Sequence, residues 1–186
     1  LAILDAKKNY LNERFGIQKV PNINLPVIPL GIDTRRFEPL SKNTTTARAS
    51  LKITDDEIVI SFVGRLSWHA KAHPIPMYLA VSEVAKITGK KIVLVECGWY
   101  ANDSIENVYK NTQSIFSESF RFLHIDGRDP TSVENVYAAS DIFVSLSDNI
   151  QETFGITPIE AMSAGIPVVV SDWDGYRHSV RDGIDG

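Results

Sequence analysis

Five short apolar segments alternate with helical segments after residue 57, and this rhythm limits the fold more than any other feature of the sequence. The apolar segments span residues 58–63, 92–97, 120–125, 142–146 and 168–170. The helical patterns that follow them span residues 76–88, 103–116, 131–139, 158–164 and 175–180. The apolar segments do not alternate with polar residues, as is typical of strands covered on both faces. We therefore predict an α/β fold, a Rossmann-like parallel sheet with helices on both faces.

The segment before the first of these strands is predicted to form only short elements. Apolar positions at helical spacing predict a helix over residues 2–15, which Gly16 stops. Prolines make the following segment extended and favour a short strand at residues 27–28. Residues 33–40 are predicted to form a loop with a tight turn. Three threonines can cap a short helix over residues 44–51.

Composition excludes some classes of protein. The formal net charge of −4 argues against a nucleic-acid-binding protein, which usually carries a basic excess. Cys97 is the single cysteine, so we expect no disulfide, a small buried hydrophobic side chain and a reducing, cytoplasmic compartment. No apolar stretch reaches the roughly 18–20 residues of a membrane helix. Because the sequence begins with Leu1 rather than Met, we expect it to be a piece of a longer protein.

Glycines and cations mark the ends of the predicted strands. Gly64, Gly98 and Gly127 all fall there, where the backbone must turn tightly or approach a ligand. Parallel sheets of this type bind ligands outside the carboxyl ends of their strands. Arg65 directly follows the first strand, and Lys71 comes shortly after it. A planar guanidinium and a mobile ammonium suit the oxygens of a diphosphate, although both cations could also be ordinary surface groups.

Two glutamates flank the predicted start of a helix. Glu152 and Glu160 would accept hydrogen bonds from sugar hydroxyls, while the free N–H groups of residues 154–157 would point toward phosphate. This combination suits a ligand with sugars at its ends and phosphate in its middle. A structural alternative uses the same residues. Thr157 and Glu160 match a capping box with Pro158 at the first helical position, and Glu152 is then a solvated loop acid.

The histidines give no comparable signal. His69 and His73 have the spacing of metal ligands on a helix, but Pro74 and Pro76 argue against a regular helix there. No third ligand converges on them, so we expect no metal site. His124 lies near a strand end and is expected to be packed or partly exposed rather than catalytic. Phosphate loops of the G-x-G-x-x-G and Walker types are absent from the sequence.

The motifs also occur in an order that is similar to a known family. They are residues 27–33 with Phe37, 62–66 with Lys71, 145–147, 152–156, 160–169 and 182–183. Together with the E-x7-E element of Glu152 and Glu160, this ordered set resembles the group 1 retaining glycosyltransferases with the two-domain GT-B fold. The resemblance covers about residues 25–186.

The resemblance implies a division of the chain and a reaction. Residues 1–25 would be the tail end of an N-terminal domain and a linker, and residues 26–186 a nucleotide-sugar-binding C-terminal domain, truncated at its C-terminus. The intact enzyme would transfer a sugar from a nucleoside-diphosphate sugar to a hydroxyl acceptor (a glycan, a lipid or a small molecule) with retention. It would require no metal or other cofactor. The acceptor site would lie in the N-terminal domain, which leaves room for peripheral membrane association there, and the isolated chain would not catalyse transfer.

The resemblance also assigns roles to residues. Arg65 and Lys71 match the cations that bind the diphosphate, and Glu152 matches the acid that meets the donor sugar; these three are the expected catalytic residues. The expected donor-binding residues are Gly64, Arg65, Lys71, Phe154, Gly155, Ile156 and Glu160. Among them, backbone amides of residues 154–155 would face the phosphates and Glu160 would hold the ribose. Base contacts would come from the backbone around residues 125–128.

Two departures from the family pattern and two rival functions stay open. Ala72 follows Lys71 where glycine is frequent, so the loop before His73 is expected to differ in shape. Leu30 stands where asparagine is frequent. The first rival function is a nucleotide-sugar epimerase or a phosphorylase-like enzyme on the same architecture. The second is a non-catalytic nucleotide-binding domain.

Overall fold

A five-stranded parallel sheet forms the centre of the computed structural model, which describes residues 2–19, 26, 28–37, 40, 43–150 and 152–186. The strands are β1 (Glu57–Val63), β2 (Lys91–Gly98), β3 (Arg121–Asp126), β4 (Ile142–Ser145) and β5 (Val168–Val170). Every strand boundary lies within one residue of its predicted position, because the apolar runs end where the chain leaves the core.

Eight helices occur in the described parts of the chain. They are α1 (Ala2–Phe15), α2 (Thr34–Phe37), α3 (Thr44–Ser50), α4 (Pro74–Thr88), α5 (Asp103–Phe116), α6 (Pro130–Ala139), α7 (Ile156–Ser163) and α8 (Tyr176–Ser179). The predicted bounds of α1 and α5 are confirmed, and Gly16 follows α1 in the left-handed conformation, with a φ of 66°. Among the described residues, no helix combines the length and the apolar character needed to cross a membrane.

The strand order β3-β2-β1-β4-β5 places a crevice beside β1. Ile60 of β1 pairs with Leu94 of β2 on one side and with Ile142 of β4 on the other. The chain runs outward from β1 through β2 to β3 and then returns to the far side of β1 as β4. The winding therefore reverses between β1 and β4, and the loops that leave these two strands diverge around the position where such sheets bind ligands.

The sheet separates two hydrophobic cores. Val59 and Val93 point to one face and pack with α3, α6 and α7, while Ile60 and Leu94 point to the other face and pack with α4 and α5. Successive side chains of a strand alternate between faces, so a strand buried on both sides is apolar at most of its positions. Each such side chain contributes about 1.5–3 kcal/mol when fully buried. The predicted sheet with helices on both faces is thereby confirmed.

The segment predicted as a loop contains a one-turn helix, α2. The Asp33 carboxylate accepts a hydrogen bond from the backbone N–H of Arg35, at 3.2 Å, and supports the first turn. Phe37 ends the turn and is buried edge-on against Tyr137, with ring centroids 5.9 Å apart. The prediction of a loop was wrong over residues 34–37, because a single helical turn is too short to show helical periodicity in the sequence.

Two further N-terminal predictions need correction or lie outside the described residues. Val27 of the predicted strand at residues 27–28 is among those outside, whereas Ile28 is described, exposed and without regular secondary structure. Helix α3 begins at Thr44 as predicted. Asn43, rather than a threonine, occupies its N-cap position and makes no capping hydrogen bond through its side chain.

Two helices begin two residues earlier than predicted. Pro74 is the first residue of α4, and Nδ1 of His73 accepts a hydrogen bond from the N–H of Ile75 at 3.4 Å. Helix α7 begins at Ile156, so Pro158 lies inside its first turn. Proline is accommodated in a first turn because the N–H group that it lacks would have no intrahelical partner there. Residues 69–73 lie before α4 and form no regular helix, so the argument from prolines against a helix across His69 and His73 is confirmed.

Cys97, near the end of β2, is completely buried, as predicted. Burial raises the pKa of its thiol to about 12, so the group stays uncharged. The side chain therefore acts as a small core residue rather than as a nucleophile.

Candidate functional site

Two cavities lie side by side at the carboxyl ends of the strands. The first has a volume of about 290 Å³ and the second of about 300 Å³. Val63, Gly64 and Thr157 line both, so the cavities meet where β1 ends and α7 begins. The other residues of the first cavity are Leu30, Phe62, Lys71, Ala72, Ser145, Ser147, Glu152, Thr153, Phe154, Gly155, Ile156 and Tyr176. Those of the second are Arg36, Phe37, Cys97, Trp99, Gly127, Arg128, Pro130, Val133 and Glu160.

Three glycines allow the strand ends beside these cavities to approach one another. The N–H of Gly64 donates to the carbonyl of Cys97 at 2.9 Å, and the N–H of Gly127 donates to that of Gly98 at 3.2 Å. A Cβ atom on Gly98 would collide with the carbonyl oxygen of Gly64, and one on Gly127 would lie 3.0 Å from the Gly98 Cα. The predicted position of these glycines at strand ends is confirmed. At Gly98 and Gly127 the group that approaches closely is the backbone of a neighbouring strand end.

An ion pair joins two loops in the first cavity. Nζ of Lys71, in the loop after β1, lies 2.7 Å from Oε2 of Glu152, in the loop after β4. The Glu152 side chain is 11% exposed and that of Lys71 is 31% exposed, so water screens the pair only partly. The Glu152 backbone is held as well, because its N–H donates to Asn149 at 3.0 Å and its carbonyl accepts from Gly175 at 3.1 Å.

The N-terminal end of α7 borders the first cavity without a side-chain cap. Gly155 occupies the N-cap position with a φ of 77°, and Phe154 and Ile156 on either side of it also line the cavity. The first N–H groups of a helix have no intrahelical partner and carry the positive end of its dipole. This border of the cavity therefore attracts anions.

The ring of Tyr176 packs against Gly155. A Cβ atom on Gly155 would collide with the Tyr176 ring, and the hydroxyl oxygens of Tyr176 and Ser145 are 2.7 Å apart in a buried contact. Burial raises the pKa of Tyr176 to about 12, so a neutral phenol lies behind the helix end. Sequence reasoning missed this residue. The sequence feature that could have indicated Tyr176 is the glycine before it. Gly175 is required in the structure because a Cβ atom there would collide with the backbone of Phe154.

Glu160 lines the second cavity and is held by Tyr137. The Tyr137 hydroxyl donates to Oε2 of Glu160 at 3.0 Å and lies 3.2 Å from the carbonyl of Thr157. Burial raises the pKa of Tyr137 well above its usual value, so the phenol stays protonated. The capping box of Thr157 and Glu160 is not formed, since Gly155 is the N-cap residue. Sequence reasoning missed Tyr137, because no local pattern connects α6 with α7.

Of the eight residues expected to act in catalysis or to bind the donor, all of which are described, Arg65 alone lines neither cavity. Its side chain is exposed, and no other described residue forms an ion pair or a hydrogen bond with it. It directly follows Gly64, which lines both cavities. The Arg65 backbone therefore lies beside the junction of the two cavities.

The histidines have structural contacts. Nδ1 of His69 lies 3.4 Å from the Ser67 hydroxyl, and the ring of His124 stacks on Tyr100 with centroids 4.9 Å apart. No group of three or more His, Cys, Asp or Glu side chains in the described part of the chain could hold a metal ion.

The covered parallel sheet, with cavities at its carboxyl edge, defines an α/β domain of the Rossmann-like class. A profile of the family "Glycosyl transferases group 1" matches residues 43–186. The chain belongs to this family of glycosyltransferases, and the resemblance carried by the sequence motifs is confirmed.

Curated relatives are longer proteins. The chain is 31% identical over 169 residues to the D-inositol 3-phosphate glycosyltransferase of Geodermatophilus obscurus. This alignment covers 86% of the chain and 35% of that protein. It is 30% identical over 179 residues to the enzyme of the same name from Actinosynnema mirum. This alignment covers 92% of the chain and 41% of that protein. The chain thus spans about two fifths of the length of these relatives.

Solved structures share the fold. The HepE protein of Anabaena in complex with UDP and glucose has a TM-score of 0.64 and 21% identity, covering 84% of this chain and 40% of that chain. A glycosyltransferase from Rickettsia africae has a TM-score of 0.66 and 18% identity, covering 97% of this chain and 46% of that chain. The α/β architecture is therefore that of the GT-B glycosyltransferases, as the sequence predicted.

Proposed function

We propose that this chain is the donor-binding part of a retaining glycosyltransferase, which moves a sugar from a nucleoside-diphosphate sugar to a hydroxyl acceptor. One observation carries the proposal. Two adjoining cavities meet at Gly64 and the start of α7, and one contains Glu152 while the other contains Glu160. A nucleoside-diphosphate sugar has the same order of groups, with a sugar at one end, a ribose toward the other and a diphosphate between them.

The diphosphate is assigned to the junction of the cavities. Backbone N–H groups at Phe154, Gly155 and Ile156 would donate to its oxygens, since the end of α7 carries no side-chain cap. Lys71 would bind from the loop after β1 and Arg65 from its exposed position beside Gly64. These positive groups would also stabilise the charge that builds on the diphosphate as it leaves the sugar, and we propose that no metal is required.

The two carboxylates are assigned to the sugars at either end. Glu152, in the first cavity, would accept hydrogen bonds from the transferred sugar and hold it over the diphosphate. Glu160 would accept from the ribose in the second cavity, where the Tyr137 hydroxyl fixes one of its oxygens. A carboxylate that a second group holds in place loses less side-chain entropy when it binds a ligand than a freely rotating one.

The relatives support a nucleotide-sugar donor and a larger protein. HepE was solved with UDP and glucose, so UDP is the first probe to try here. We propose that residues 1–25 are the tail end of an N-terminal domain and a linker, and that residues 26–186 form the donor-binding domain. On this proposal the acceptor binds to the N-terminal domain, the intact enzyme works in the cytoplasm, and the isolated chain binds donor without transferring sugar.

Calorimetric titration of the chain with UDP and UDP-glucose tests the donor site. We expect saturable binding and a rise in melting temperature, since a ligand at 100 times its dissociation constant adds about 2.7 kcal/mol to stability. A chain with Lys71→Met and Glu160→Gln together should lose the binding but keep its fold by circular dichroism. Equal affinity for UDP in both chains would refute the assignment.

Product analysis of the full-length protein tests the reaction. With a sugar donor and candidate acceptors, we expect release of the nucleoside diphosphate and a product with the anomeric configuration of the donor by proton NMR. An inverted product would refute retention. An epimerised donor without diphosphate release would instead favour the epimerase, and binding without any turnover would favour a non-catalytic domain.

A further inference from the structure

The loop after β1 (residues 67–72) is tied to the loop after β4 (residues 146–150) by hydrogen bonds that do not involve a charge. The Ser147 hydroxyl donates to the backbone carbonyl of Lys71 at 3.1 Å. Nδ2 of Asn149 donates to the backbone carbonyl of His69 at 3.0 Å. Two side chains of the β4 loop thus hold the main chain of the β1 loop at Lys71 and at His69.

The β4 loop is itself anchored by the segment that follows β5. The Ser171 hydroxyl donates to the carbonyl of Ser147 at 2.5 Å, and Nε1 of Trp173 donates to the carbonyl of Asn149 at 3.0 Å. Ser147 is only 2% exposed, so a partner lost there would leave a buried polar atom unpaired. The bonds form a continuous series from the β5 segment through the β4 loop to the backbone of Lys71.

We propose that Ser147 and Asn149 are positioning residues, which hold the β1 loop so that the Lys71 ammonium stays directed into the first cavity. A lysine reaches its ligand through a flexible four-carbon stem, so the direction of its backbone decides how often the ammonium meets the ligand. Loops move more readily than strands, and side chain to backbone bonds from a neighbouring loop limit that motion. This role rests on the proposed function, because it assigns Lys71 to the diphosphate of the donor.

A double-mutant cycle with UDP as the probe tests the role. Ser147→Ala combined with Asn149→Ala should weaken UDP binding by about threefold to tenfold, the effect of losing ordinary hydrogen bonds. The same pair in a Lys71→Met chain should change the affinity by less than about twofold, because the ammonium that they position is gone. Ser147→Thr keeps the hydroxyl, so a chain with this substitution alone should bind UDP about as tightly as the unsubstituted chain. Ser50→Ala is the matched control, since it removes a hydroxyl bond to the Ala47 carbonyl at the end of α3.

A ligand-free measurement separates the two proposals. Amide hydrogen exchange in residues 67–72 should rise in the Ser147→Ala, Asn149→Ala chain and stay unchanged in the Ser50→Ala chain. The single variant Asn149→Ala, at a half-buried position, gives the same comparison if the double variant unfolds. Unchanged exchange, or equal losses of UDP affinity with and without Lys71, would overturn the positioning role alone. Failure of the unsubstituted chain to bind UDP would overturn the proposed function and this role with it.

Discussion

Nζ of Lys71 lies 2.7 Å from Oε2 of Glu152, although the two residues are 81 positions apart in the chain. The carboxylate therefore balances the ammonium inside the first cavity. A diphosphate that enters must compete with Glu152 for Lys71, and it brings more negative charge than the carboxylate. The ion pair thus holds the cation in the cavity while opposing the anion that the cation is proposed to bind.

The first prediction is that the two partners of this ion pair affect UDP binding in opposite directions. Lys71→Met should weaken UDP binding by more than about tenfold, because a charged hydrogen bond is worth about 1.5–3 kcal/mol. Glu152→Gln should tighten it severalfold, because a competing negative charge is removed and UDP lacks the transferred sugar that Glu152 is proposed to hold. Isothermal titration calorimetry measures both. Lys86→Met removes an exposed ammonium 3.8 Å from Glu83 and should have no effect. Weaker binding in the Glu152 variant would contradict the competition.

The second prediction concerns Glu160 and the ribose. Glu160→Gln should weaken UDP binding by about tenfold but leave the binding of inorganic pyrophosphate unchanged, since pyrophosphate has no ribose to meet the carboxylate. Tyr137→Phe should weaken UDP binding by a smaller factor, because the carboxylate remains but loses the phenol at 3.0 Å. Competition of each ligand with a fluorescent nucleotide supplies the affinities. A parallel loss for UDP and pyrophosphate would show that Glu160 acts on the phosphates or on the fold.

The sequence predicts the scaffold of this site better than its contacts. β1 and β2 are identifiable because strands buried on both faces are apolar at most positions, and Gly64 and Gly98 mark their ends. The meeting of Lys71 with Glu152 depends instead on β4 lying beside β1, a matter of strand order that no local pattern encodes.

Helix α7 illustrates how tertiary contacts override a local motif. Thr157 and Glu160 satisfy the pattern of a capping box, yet the turn at Gly155 starts the helix earlier. That turn has a φ of 77° and packs on Tyr176, and Glu160 then finds Tyr137 as its partner. The capping box is therefore not formed, whereas the two acids of the E-x7-E element line the two adjoining cavities.

The third prediction concerns close backbone contact at the strand ends. Gly98→Ala should destabilise the protein by about 2–4 kcal/mol, since the added Cβ atom collides with the Gly64 carbonyl oxygen, a backbone atom that moves only if the strand end moves. Gly31→Ala is the matched control, because a Cβ atom there meets nothing within 4 Å, and its effect should stay within about 0.5 kcal/mol. Urea unfolding measures both. Similar values for the two variants would show that the strand ends tolerate a side chain.

The fourth prediction rests on a buried acid in the second core. Glu96 of β2 is 1% exposed and accepts hydrogen bonds at 2.6 Å from the Tyr78 hydroxyl and from Nε2 of Gln113. Burial raises its pKa to about 7, although both hydrogen bonds act to lower it. Its ordinary pKa is 4.5, so between these values the native protein holds a proton that the unfolded chain has released.

Stability should therefore fall as the pH rises from about 4.5 to about 7, because the native state binds more protons than the unfolded state across this window. At about 1.4 kcal/mol for each pKa unit, the loss attributable to Glu96 is roughly 3 kcal/mol. Glu96→Gln keeps the shape of the side chain without its charge and should remove this fall, whereas the exposed Glu118→Gln should retain it. Urea unfolding at pH 5 and pH 8 gives the difference for each chain. A Glu96→Gln chain that loses as much stability as the unsubstituted protein between these pH values would show that another group titrates.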